Sequence, residues 1–142
     1  MEKTDHNVIT VETIVHAPIE KVWKIWNDPK HIVQWCNASD DWHAPYADND
    51  LQTGGKFKTT MAAKDGSMSF DFEGIYTHVE PHKLITYELG DGRKVAITFA
   101  AELEGTRIVE TFDPEQTNPA EMQRGGWQAI LDHFKKHAEA NV

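Results

Sequence analysis

From residue 40 to residue 113 the chain reads as short strands punctuated by turns, and one long amphipathic helix follows them. A meander of hairpins makes an antiparallel sheet, and its apolar face must be covered by another element. Only the terminal helix is long enough to do so. The order predicts an α+β domain over residues 1–142, with a curved antiparallel sheet of about seven strands wrapped around a long C-terminal helix.

Residues 7–16 alternate apolar and polar side chains and are rich in β-branched residues, the pattern of a strand. Ala17-Pro18 then opens a short helix, with Pro at the first helical position, Glu20 in the first turn and an apolar face of Ile19, Val22, Trp23 and Trp26. Asp28-Pro29 repeats the start signal for a second short helix, which sets Ile32 and Trp35 one turn apart. Further strands are expected at 56–63, 68–78, 84–89 and 106–112, with Asp65-Gly66 and Gly90-Asp91-Gly92 as turns. Val95, Ile97, Phe99, Ala101 and Leu103 alternate cleanly and predict one buried strand face.

The last helix is announced by Asn118 as N-cap, Pro119 at the first position and Glu121 in the first turn. Met122, Gly126, Ile130, Phe134 and Ala138 form its stripe, widened by Trp127 and Leu131. Gly125-Gly126 is unusual inside a helix, since each glycine costs about 1 kcal/mol relative to Ala. Close approach of the sheet is the preferred explanation, with room for a ligand or a bend as alternatives.

Composition narrows the function. A net charge of -9 disfavours nucleic acid and anionic membranes as partners. The opening segment lacks the apolar run of a signal peptide, and a single cysteine, Cys36, excludes an internal disulfide. A cytoplasmic protein is expected, as monomer or homodimer. No motif asks for a cofactor.

Three segments carry a resemblance: Ala17-Pro18-Ile19-Glu20-Lys21-Val22-Trp23, Asp50-Leu51-Gln52-Thr53-Gly54-Gly55-Lys56-Phe57, and Gly126-Trp127-Gln128-Ala129-Ile130-Leu131. Together they resemble the START-like (SRPBCC, Bet v-like) superfamily, in the bacterial branch labelled activator of heat-shock-protein-90 ATPase homologue-like and sometimes polyketide cyclase-like. The resemblance implies the helix-grip fold and a deep cavity between sheet and long helix.

Large rings supply candidate cavity walls: Trp35, Phe57, Phe70, Phe72 and Tyr87, with Phe99, Phe112 and Trp127. Trp42 and Tyr46 belong to the same aromatic set. Glu110 lies between Ile108 and Phe112, and two-residue alternation puts all three on one strand face. If that face points inward, a carboxyl stands in an apolar cavity. The alternatives are the opposite phase, with Val109 and Thr111 inward, or an ion pair with Arg93, Arg107 or Arg124. His43, near Asp40 and Asp41, and Gln123 complete the polar candidates.

His133 and His137 share a helix face at a spacing that can chelate. No further ligand accompanies them, and no metal site is expected. No nucleophile stands at a diagnostic spacing, so no catalytic residue is assigned, and Cys36 reads as a small core residue. The expected function is binding of a small hydrophobic or amphipathic ligand. The alternatives are a cyclase- or hydrolase-like enzyme using the same cavity, and a chaperone-associated interaction module.

Overall fold

The computed structural model describes residues 8–37 and 39–141. The expected first strand residue, Asn7, and the opening segment before it lie outside these. Ten elements follow in the order β1 (Ile9–Val15), α1 (Ile19–Asn27), α2 (Pro29–Trp35), β2 (Trp42–Asn49), β3 (Lys56–Ala63), β4 (Ser69–Glu80), β5 (Leu84–Leu89), β6 (Lys94–Glu102), β7 (Gly105–Phe112) and α3 (Ala120–Ala140). All seven strands form one curled antiparallel sheet in the order β1-β7-β6-β5-β4-β3-β2. The strands from β2 to β7 each pair with their sequence neighbours. The first strand alone travels, from Ile9 against Phe112 to Val15 against Thr106.

Alternation fixes which side chains face α3. Ile9, Val11 and Val15 of β1, Ile108 and Phe112 of β7, and Val95, Ile97 and Phe99 of β6 are all buried. The expected stripe of β6 stops early, because Ala101 is exposed and Leu103 stands fully in solvent at the β6–β7 turn. The strand there has run past the end of its cover. The helix α3 buries Gln123, Leu131, Phe134 and Ala138. Met122, expected on the stripe, is exposed instead.

Helix starts differ from expectation by one residue. Pro18 and Pro119 are N-caps rather than first helical residues, and neither α1 nor α3 has a side-chain cap. Asp28 does cap α2, its carboxylate accepting from the Lys30 N–H at 3.0 Å. Gln123 does the work expected of Asn118, by tying down the loop before α3. Its amide donates to the carbonyls of Glu115 and Asn118 at 3.0 and 2.8 Å and accepts from the Glu115 N–H at 2.9 Å.

The helix α3 is fastened to β1 by polar contacts as well as by packing. Lys135 Nζ donates to the Ile14 carbonyl at 2.7 Å, and Gln128 Nε2 donates to the Glu12 carbonyl at 3.2 Å. The His16 N–H donates to the Glu139 carboxylate at 2.9 Å. Close packing does not explain Gly125-Gly126, because a Cβ on either would meet no atom within 4 Å. Close packing does require Gly74 on β4. A Cβ there would fall 3.1 Å from the Phe57 ring and 2.7 Å from the Glu88 carbonyl oxygen.

Candidate functional site

Between the sheet, α2 and the first half of α3 lies a cavity of about 300 Å³. Its sheet wall comes from inward positions of neighbouring strands: Phe57, Thr59 and Met61 of β3, Phe70, Phe72 and Tyr76 of β4, Tyr87 of β5, Ile97 of β6 and Glu110 of β7. The helices add Trp26, Ile32, Trp35 and Cys36 on one side, and Trp127 and Ile130 on the other. Phe70 is half exposed, so the cavity reaches solvent beside it.

The rings brace one another rather than filling the space. Phe57 packs edge-on to Tyr87 at 4.7 Å between centroids and lies 5.1 Å from Tyr76. Trp127 stacks on Phe112 at 3.8 Å and meets Phe72 at 6.0 Å. Behind Trp35 and Trp26, Phe134 closes a second cluster, 4.9 and 4.7 Å from the two rings.

Glu110 is the buried ionisable group of the wall. It faces inward with Ile108 and Phe112, so the inward phase of β7 holds. On the same face its lateral neighbours are Val11 of β1 and Ile97 of β6, both apolar. Among the described residues no hydrogen bond or ion pair reaches its carboxyl. The arginines are engaged elsewhere: Arg93 with Asp91 at 2.7 Å, Arg107 with Glu12 and Glu102 on the outer face, and Arg124 with Glu121. Burial alone pushes the carboxyl up to about 8, because low dielectric disfavours the charged form. The nearby Tyr87 hydroxyl is held well above its usual range, by burial first and then by Glu110. The Cys36 thiol is pushed up to about 12 by the same two causes, and a thiol in that range is a poor nucleophile.

A polar strip borders the cavity on the β2 side. The Tyr76 hydroxyl donates to Asn49 Oδ1, and Asn49 Nδ2 donates to the Asn27 carbonyl at 2.8 Å.

Of the residues expected at a site, Trp35, Phe57, Phe70, Phe72, Tyr87, Glu110 and Trp127 stand around this space. Phe99 and Phe112 are inward but packed: Phe99 against Trp23 and Trp26, Phe112 beneath Trp127. Gln123 is spent on the loop before α3. His43 and Tyr46 point to solvent from β2, the Tyr46 hydroxyl donating to Asp48 at 2.7 Å, and Trp42 packs on Phe70 outside the lining.

Tyr76, Asn49, Trp26, Cys36 and Ile130 also face the cavity. Alternation from Phe72 through Gly74 would have found Tyr76, and helical spacing from Trp127 would have found Ile130. No sequence signal marks Asn49. Away from the cavity, His137 meets His31 of α2 at 2.9 Å, and His133 meets Asn37 at 3.0 Å. Among the described residues no three metal-ligating side chains converge.

A curled antiparallel sheet closed over one long helix, with a cavity between them, is the START-like helix-grip architecture. The chain belongs to the family described as activator of Hsp90 ATPase homolog 1-like protein, whose pattern matches residues 16–139. Its relatives of known structure include a protein from Cytophaga hutchinsonii, 61% identical over 95% of this chain and 94% of that one, with a TM-score of 0.82. An AHSA1-like protein from Aeromonas hydrophila is 46% identical over 94% of this chain and 93% of that one, with a TM-score of 0.89. A protein from Chromobacterium violaceum is 23% identical over 94% of this chain and 98% of that one, with a TM-score of 0.84. At that identity the likeness speaks to the fold alone. No curated protein matches the sequence.

Proposed function

We propose that the chain binds a small, largely apolar molecule in the cavity between α3 and the sheet. The observation that carries this reading is about 300 Å³ of space walled by aromatic and aliphatic side chains, at the lower end of the range for small-molecule sites. The rings that edge it are held by their neighbours, so they have no means of collapsing inward to fill it. Apolar walls provide most of the free energy, at about 25 cal/mol per Å² removed from water. The Tyr76–Asn49 strip provides orientation. The family's description names a chaperone activator, whereas the cavity favours a small-molecule ligand.

Thermal unfolding with fatty acids, flavonoids and polyketide-like aromatics tests the reading. A ligand at about 100 times its Kd adds about 2.7 kcal/mol, which raises the melting temperature of a domain this size by about 5–10 °C. Ile130→Trp, which fills the space from α3, should abolish the rise. If no class of compound shifts the transition, the reading is wrong.

A further inference from the structure

Glu110 sets a chemical condition on whatever the cavity holds, an argument that rests on reading the cavity as a ligand site. Its side chain is buried, is flanked by Val11, Ile97, Ile108 and Phe112, and has no partner among the described residues. The titratable and charged groups that share the cavity do not compensate it. The Tyr87 and Tyr76 hydroxyls and the Cys36 thiol are all held neutral by burial, Asp48 on β2 carries the same sign, and Arg93 is committed to Asp91. A buried carboxyl left in this state destabilises the fold in its charged form.

We propose that the cavity selects ligands bearing a basic nitrogen, the ammonium group seating against Glu110 and the apolar body lying among Phe72, Tyr87 and Trp127. Three observations favour an amine over a neutral ligand. A hydroxyl or amide side chain would hold a neutral acceptor without the burden of burying an acid, whereas only a carboxyl presents charge to an ammonium. Aromatic side chains share the cavity wall with Glu110, and ring faces attract cations. The chain as a whole carries a net charge of -9, which raises the local concentration of cations over that of anions.

Binding then moves a proton. The empty cavity holds Glu110 as the neutral acid at pH 7, since burial has raised it to about 8. An arriving ammonium displaces that proton to solvent, and its positive charge keeps the carboxylate ionised. Affinity for amines therefore rises with pH up to about 8 and levels above it, while the amine itself stays charged to about pH 10.

Calorimetric titration of the full chain with matched pairs tests this: tryptamine against tryptophol, and octylamine against octanol. At pH 8.5 each amine should bind about 10- to 100-fold more tightly than its alcohol, the advantage of a hydrogen bond to a charged group. Glu110→Gln should remove that advantage and leave the alcohols within about twofold, with Glu110→Leu as a second variant should the first fold poorly. In the native protein the amine advantage should shrink as the pH is lowered from 8.5 to 6.5. Alcohols that match their amines, or an amine preference that survives both substitutions, would overturn the inference. If the apolar panel stabilises the protein while no amine binds, the cavity reading stands and the amine inference falls. If panel, alcohols and amines all fail, both fall together.

Discussion

Phe134 meets Trp26 and Trp35 at 4.7 and 4.9 Å and closes the junction of the three helices behind them, whereas Phe57, Phe72, Tyr87 and Trp127 stand around empty space. Both groups are aromatic, and both sit between the same sheet and the same helix. The difference lies in what α3 contributes along its length. Its second half offers Leu131, Phe134 and Ala138, all fully buried, and the stretch before it offers Gly126 and the partly buried Trp127 and Ile130. Core and cavity are thus two settings of one interface, chosen by the volume of the helix side chains.

The largest test of that contrast is truncation in each half. Phe134→Ala should cost about 3–5 kcal/mol, and Trp127→Ala, which enlarges a space already open, about 1–3 kcal/mol, both measured by urea denaturation. Equal losses would erase the distinction. The pH dependence of Glu110 comes next. Its carboxyl titrates near 8 folded and near the ordinary 4.5 unfolded, so the unfolded state releases its proton first as pH rises. The native stability contributed by this group is fully present below pH 4.5 and is lost between 4.5 and 8. Glu110→Gln should therefore be the more stable protein at pH 8, by a few kcal/mol, with the gap closing toward pH 4.5. The smallest effect is Gly125→Ala, which should raise stability by about 0.5–1 kcal/mol, since its methyl meets nothing and the helix gains propensity. A loss there would mean that the sheet approaches α3 closely after all.

The architecture was legible because two periods dominate the chain. Alternation of two marks the ring-bearing strands and puts Glu110 on one face with Ile108 and Phe112, while leaving open which way that face points; helical spacing places Leu131, Phe134 and Ala138. The pattern fails where an element outruns its cover: Leu103 and Met122 are apolar, yet each lies beyond the packed interface. Side-chain capping is also poorly legible, since Asn118 has the right chemistry one position too early and Gln123 takes its place from inside the helix. The site was harder to read than the fold. Periodicity says that Phe99 and Phe112 point inward, but whether an inward ring meets a neighbour or a void depends on the helix opposite. His43 and Tyr46 have the chemistry of pocket residues, but β2 turns both to solvent.

The seam between β1 and its partners has a consequence for how the protein is made. Every other strand pairing joins segments adjacent in sequence, so the meander from β2 to β7 can assemble by successive local hairpins. Ile9 meets Phe112, and Lys135 meets Ile14, only after roughly a hundred residues of intervening chain have been gathered in. Closing so long a loop costs entropy that contacts can offset only once the rest of the sheet exists, which places the docking of β1 late in folding. Val11, the lateral neighbour of Glu110, arrives with it. The burial that makes the carboxyl unusual therefore depends on a pairing made across most of the length of the chain.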